Sequence, residues 1–296
     1  MGRSAHPSHV LLNGRLLPAA RAKISALDRG FLYGDGLFET LRTYGGEPFG
    51  LAAHLARLRR SARVFRMDVP ISPTFWQPRI RRLLRANHLE TTDASVRLTV
   101  SRGAAPFGIL PPRVLRPTTL LLASALDPRL TRAQASGVRV CFFPFRVVTA
   151  RLPGHKTLHY LPAVLGKMVA RRRASWESLY LDAEDHVLEG TTSNIFIVRR
   201  GALFTPPLHG VLPGVTRKTI ATVAARCGLS LTERVLTTRD LNRANEVFLT
   251  ASTIEVLPVV RVEDTRIGNG RPGPVTRTLQ EGYRAHVQRA LARARR

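Results

Sequence analysis

Lysine is nearly missing from a chain otherwise crowded with cations. Of 46 basic residues only Lys23, Lys156, Lys167 and Lys218 are lysines. A lysine amine condenses with an aldehyde, whereas a guanidinium stays protonated and cannot, so amine-based covalent chemistry has four positions to choose from. Cysteine is scarcer still. Cys141 lies in a β-like run and Cys227 ends a helical pattern, so both read as buried thiols of a reducing compartment, and no metal site is expected. Long apolar runs are also lacking. Stretches such as Leu120–Ala123 are far too short to span a bilayer, which excludes a membrane-spanning helix. The N-terminal residues carry no apolar core of a secretory signal and no Ser or Thr at position 6 for myristoylation, so the expected location is the cytoplasm, with no membrane partner.

Acidic residues are too few to balance the arginines, and the formal charge is +26. Such a charge invites a noncatalytic nucleic-acid-binding reading. The arginines recur along almost the whole chain, however, and the denser groups (Arg57, Arg59 and Arg60; Arg171 to Arg173; Arg293 to Arg296) fall on helical patterns whose other face is apolar. Solvated helix faces explain them more simply, and no nucleic-acid partner is expected. The charge would still steer anionic substrates.

With 296 residues and a 44% hydrophobic content the chain is globular and long enough for two domains. The first part alternates strand signals near 9–14, 37–44, 95–101 and 118–123 with two helical patterns. In the first of these, Leu51, Leu55, Leu58, Ala62 and Phe65 share a face opposite Arg57. Pro128 and Gly137 break the pattern and predict a linker over 127–137, between a small domain at 1–126 and a larger one at 138–296. Beyond it, strands are predicted near 138–143, 177–182, 194–205, 230–236, 246–250 and 257–262, and helices near 159–173, 214–227 and 274–292. The mixture lacks strict βαβ order, so the expected class is α+β (mixed α/β) rather than a doubly wound sheet.

Among the lysines, Lys156 follows the turn-like Pro153-Gly154-His155 and precedes a helix. Lys23, Lys167 and Lys218 read as surface cations. Three runs, Lys156-Thr-Leu-His-Tyr160, Leu188-Glu-Gly-Thr-Thr-Ser-Asn-Ile-Phe196 and Leu212-Pro-Gly-Val-Thr-Arg217, together resemble the fold-type-IV pyridoxal-phosphate enzymes, the class IV aminotransferases. Two N-terminal runs, Asp28-Arg-Gly-Phe-Leu-Tyr-Gly-Asp-Gly-Leu-Phe-Glu-Thr-Leu-Arg42 and His54-Leu-Ala-Arg-Leu58, resemble the same family in the same order. The resemblance runs from about residue 10 to about 290.

Pyridoxal 5′-phosphate needs an amine for its aldehyde, an acid for its pyridine nitrogen and a cradle for its phosphate. The resemblance implies that Lys156 forms the Schiff base and that Glu189 pairs with the ring nitrogen. It further implies phosphate contacts from Arg57, the amides of Val215 and Thr216 at a helix start, and Ser252. Tyr160 would lie near the cofactor's phenolic oxygen, although it follows the lysine by four residues where branched-chain aminotransferases have five. Asn194 is expected to brace backbone. Tyr33, Phe38 and Arg42 match positions lining the branched-chain substrate pocket, and Thr253 is a candidate for the substrate carboxylate. Thr40 instead resembles a threonine of the aminodeoxychorismate lyases. The Arg-x-His trap of the D-amino-acid enzymes is replaced by Phe107 and Ile109, leaving Arg97 or Arg42 to bind a carboxylate.

The resemblance therefore implies an aminotransferase that exchanges an amino group between an amino acid or amine and a 2-keto acid, with a pyruvate-releasing lyase as the alternative. Family members are homodimers, and the Pro-rich segment 103–116 is the candidate loop for completing a partner's pocket.

Overall fold

The computed structural model describes residues 7–146 and 154–294. They form two compact units, Met1–Leu126 with His155–His159, and Asp127–Gly154 with Tyr160–Arg296.

In chain order the first unit contains β1 (His9–Leu12), β2 (Arg15–Pro18), α1 (Arg29–Tyr33), β3 (Gly36–Tyr44), β4 (Glu47–Pro48), α2 (Leu51–Val64), α3 (Pro73–Ala86), β5 (Ala94–Ser101) and β6 (Thr118–Ala125). Its strands form one six-stranded sheet, ordered β2-β1-β6-β5-β3-β4. Every neighbouring pair is antiparallel. Period-two alternation sorts β3 into two faces. Leu37 and Leu41 join the core under α2 and α3, where Leu55, Leu58, Trp76, Ile80 and Leu83 are buried. Each large apolar side chain taken from water there contributes roughly 1.5–3 kcal/mol. The 3.6-residue spacing of α2 buries Leu51, Leu55, Leu58 and Ala62, with Phe65 partly covered. Arg57 departs from the predicted solvent face: it is 6% exposed, because Glu39 of β3 gives it a buried counter-ion.

The second unit contains α4 (Leu130–Ser136), β7 (Val138–Phe142), α5 (Leu161–Arg172), β8 (Glu177–Leu181), β9 (His186–Gly190), β10 (Asn194–Arg199), β11 (Ala202–Thr205), α6 (Val215–Arg226), β12 (Leu231–Glu233), β13 (Leu236–Thr237), α7 (Thr238–Asn242), β14 (Glu246–Ala251), β15 (Glu255–Val262), β16 (Thr265–Arg266) and α8 (Pro274–Ala294). A ten-stranded mixed sheet follows the order β12-β11-β10-β14-β15-β7-β8-β9-β13, with β16 on β15. At its centre Phe196 of β10 lies opposite Phe248 of β14, and their rings stack at 5.0 Å.

Several boundaries differ from the sequence reading. The stretch predicted as a linker holds α4, whose Gln134 donates to the Ile254 carbonyl. The run 194–205 is two strands reversing at Arg200 and Gly201, both at positive φ. Asp182 accepts the backbone N–H groups of Glu184 and His186, turning the chain from β8 into β9, a strand not predicted from the sequence, which carries Glu189. Cys141 is buried as expected, but Cys227 is exposed, because it caps the solvent end of α6.

Candidate active site

In the first unit the segment around Lys156 runs beside β3 as a short extended strip. The Phe38 N–H donates to the Lys156 carbonyl at 3.0 Å and the Leu158 N–H to the Gly36 carbonyl at 3.0 Å. This packing needs glycine at 36, since a Cβ there would lie 2.6 Å from both the Val100 carbonyl oxygen and the Leu158 side chain. With its backbone pinned, Lys156 holds Nζ 4.5 Å from the Phe38 ring centroid. The Arg97 guanidinium lies 3.7 Å from the same centroid, and its Nε donates to the Thr99 hydroxyl. Thr40 is paired with Arg97 across the β3–β5 ladder. Arg42 is engaged elsewhere, donating to Asp93 at 2.7 Å and stacking on Tyr44. Lys156, Phe38, Thr40 and Arg97 are thereby brought together on one side of the small sheet.

Beneath the other face of β3, Glu39 accepts from Arg57 Nε at 2.8 Å and Nη2 at 2.6 Å, and pairs with His54 Nδ1 at 2.8 Å. Burial pushes the Glu39 carboxyl up, but the Arg57 charge and its hydrogen bonds outweigh it and bring it down to about 2. Burial lowers the His54 imidazole, more than Glu39 raises it. Arg57 therefore commits two donors to Glu39. The sequence reading missed both Glu39 and His54, although an acid on the core face of a strand opposite an i, i+3 His/Arg pair of a helix is a legible signal.

Several residues of the Asp28–Arg42 run brace the neighbouring backbone. Asp28 accepts from the Gly30 N–H and the Ser101 and Thr118 hydroxyls. Buried Arg29 pairs with Asp35 and donates to the Gly108 and Ile109 carbonyls at 2.7 and 2.6 Å. The Tyr33 hydroxyl accepts the Gly108 N–H. These bonds fix the backbone of the loop that presents Phe107, Ile109 and Leu110, each at least 78% exposed.

In the second unit Glu189 Oε2 accepts from Asn194 Nδ2 and from the Leu212 N–H, both at 3.1 Å. Asn194 also donates to the Leu212 carbonyl at 2.8 Å, so it braces backbone and orients the carboxylate together. The Tyr160 hydroxyl lies 3.5 Å from the Thr191 carbonyl, to which it donates. Val215 and Thr216 open α6 behind Gly214, whose position offers no side-chain cap. Their N–H groups meet no acceptor among the described residues. Ser252 and Thr253 occupy the tight turn joining β14 to β15, closed by the Ile254 N–H on the Ala251 carbonyl.

The largest omission of the sequence reading is Glu177. It is fully buried and accepts from the Thr191 hydroxyl at 2.5 Å, from the Thr192 N–H and hydroxyl at 2.6 Å each, and from the Ser193 hydroxyl at 2.6 Å. Lys167, predicted as a surface cation, is half-buried: its Nζ lies 3.4 Å from Glu177 and donates to the Trp176 carbonyl. Lys23 and Lys218 are exposed.

These motifs and their geometry meet an independent match: a family model described as amino-transferase class IV covers residues 36–262. The chain belongs to the class IV aminotransferases. It is similar to the branched-chain-amino-acid aminotransferase of Salmonella typhimurium, 32% identical over 289 residues covering 93% of this chain and 91% of the relative. It is similar also to the D-alanine aminotransferase of Staphylococcus haemolyticus, 29% identical over 281 residues, 94% and 98% of the two chains. The solved branched-chain amino acid aminotransferase of Thermobaculum terrenum, in its PLP-bound holo form, matches at a TM-score of 0.79, with 25% identity and 96% and 95% of the chains covered. This class IV aminotransferase is thus a transaminase whose cofactor is pyridoxal 5′-phosphate, and the lyase reading is not favoured.

Proposed function

We propose that this class IV aminotransferase moves the amino group of a branched-chain or similar apolar amino acid to a 2-keto acid, with Lys156 as the residue holding pyridoxal 5′-phosphate. One observation carries the choice of lysine. Two of the four lysines are exposed and a third serves Glu177, whereas Lys156 presents its amine over an aromatic ring on a pinned strip.

The residues present fit that cofactor. Val215 and Thr216 offer two helix-start N–H groups with no acceptor among the described residues, suited to a phosphate dianion through hydrogen bonds and the helix dipole. The Thr216 and Ser252 hydroxyls and Arg57 complete the proposed phosphate set. Glu189, held by two donors, would keep the ring nitrogen protonated. Tyr160 would stand near the phenolic oxygen. When bound, the cofactor supplies an electron sink that makes the substrate α-hydrogen acidic.

The chain's own residues supply the rest. Lys156 Nζ would take up the proton lost by the substrate α-carbon and hand it on to the carbon that carried the aldehyde, which requires a neutral amine. With Arg42 already on Asp93, Arg97 is the stronger candidate for a substrate carboxylate, with Thr253 as a second contact. Tyr33, Phe38 and Thr40 would line the side-chain pocket. Homodimerisation through the loop carrying Phe107, Ile109 and Leu110 belongs to the same proposal, supported by the exposed apolar side chains there. So does a cytoplasmic location, supported by two free cysteines.

Borohydride reduction of the yellow holoenzyme followed by peptide mapping tests the lysine: the label belongs on Lys156, and a label elsewhere overturns the assignment. Single-turnover bleaching of the visible band tests the substrate. L-leucine and L-valine should bleach it faster than D-alanine, and the reverse order overturns the branched-chain reading.

A further inference from the structure

The Glu-Gly-Thr-Thr-Ser-Asn run places Glu189, proposed for the ring nitrogen, and its brace Asn194 on either side of a turn whose three hydroxyl residues all serve a different carboxylate. Thr191, Thr192 and Ser193 bring their hydroxyls to the Glu177 carboxylate, and Thr192 adds its backbone N–H. We propose that Glu177 is a positioning residue for the reaction: a buried anion that clamps this turn and thereby sets where Glu189 stands. The inference rests on the reading of Glu189 as the partner of the ring nitrogen.

Three features of the structure carry it. First, the clamp uses both oxygens. Oε1 receives Thr191 and Thr192, and Oε2 receives Ser193, so the turn is gripped along its length. Charge-assisted bonds of this kind are short and roughly twice as strong as neutral ones. Second, the turn has no room to relax. Gly190 donates its N–H to the Ser193 carbonyl at 2.7 Å, and a Cβ at Gly190 would fall 2.5 Å from the Ser193 hydroxyl and 2.9 Å from the Glu177 carboxyl carbon. Third, the anion is matched to its surroundings. Burial alone would raise the Glu177 carboxyl, yet Lys167 and the three hydroxyl residues lower it, which keeps it an acceptor for all four donors. Because Glu189 is one residue before this closed turn and Asn194 one residue after it, any shift of the turn moves the carboxylate and its brace together.

The test compares Glu177→Gln and Ser193→Ala with Glu189→Gln, using two readouts that need no turnover: the dissociation constant of added pyridoxal 5′-phosphate with the apoenzyme, and the pH midpoint of the visible band of the holoenzyme. Glutamine keeps the volume at 177 but replaces one acceptor by a donor, and Ser193→Ala removes a single bond while leaving the carboxylate in place. Both are expected to weaken cofactor binding about tenfold and to shift the pH midpoint in the direction that Glu189→Gln shifts it. If Glu189→Gln alters both readouts while Ser193→Ala and a folded Glu177→Gln lower only the unfolding midpoint, Glu177 is structural and the inference is overturned. If Glu177→Gln does not fold, Ser193→Ala decides alone. If Glu189→Gln itself leaves both readouts unchanged, the reading of Glu189 fails instead.

Discussion

Glu39 shows how much a single residue can carry in an arginine-rich chain. It is 1% exposed and lies between His54 and Arg57. Burying such a carboxylate is unfavourable unless its lone pairs are filled, and removing one partner of a buried pair costs about 3–5 kcal/mol. Glu39→Gln is accordingly expected to destabilise the protein by roughly that amount, which urea denaturation would measure. A loss below roughly 1 kcal/mol would show that Arg57 finds another anion. Gly190 makes a similar point by its lack of a side chain. Alanine there meets Ser193 and Glu177 at under 3 Å, and overpacking of that kind costs about 1–3 kcal/mol. Gly190→Ala should therefore lower the melting temperature and loosen the cofactor together.

At the scale of elements, the caps decide which weak helices persist. α7 has only five residues, too few to be stable by propensity. It is held by a capping box in which Thr237 and Asp240 satisfy each other's N–H groups, and Asp240 also pairs with Arg234. Thr237→Ala is expected to cost about 0.5–2 kcal/mol in equilibrium denaturation, with activity unchanged. α6 presents the opposite case. Its start carries no side-chain cap, so a phosphate would take the place of one. Inorganic phosphate should protect the apoenzyme against heat, and Thr216→Val should reduce that protection.

For the whole molecule, the acid limb of stability follows from buried groups whose folded values are depressed. Glu39 falls to about 2 from an ordinary 4.5. Its contribution, on the order of 3 kcal/mol, is present above pH 4.5 and lost as pH falls toward 2. Glu177 acts in the same direction. His54, kept neutral by burial, contributes stability above its ordinary 6.5 that begins to be lost below that pH, because the unfolded chain takes up the proton first. Unfolding free energy should thus decline gently below pH 6.5 and steeply below 4.5, and Glu39→Gln should flatten the steep part. The proposed dimer is tested at the same scale. Leu110→Asp should produce monomers in sedimentation, and if the mass stays that of a dimer, the exposed loop is not the interface.

The sequence by itself determined the chemistry. Five ordered motifs carry the resemblance to the class IV aminotransferases, and it is through that resemblance that the sequence implied Lys156, Glu189 and the Val215–Thr216 helix start as site residues, because such motifs are contiguous runs of the chain. The apolar stripe of α2 and most strand positions were equally legible, since period and burial are local as well. What only the tertiary structure decided were the pairings of charge across the chain. Arg57 and Lys167 look like surface cations until Glu39 and Glu177 come from other elements to meet them. A buried carboxylate is defined by donors distant in sequence, and no window of residues contains that information.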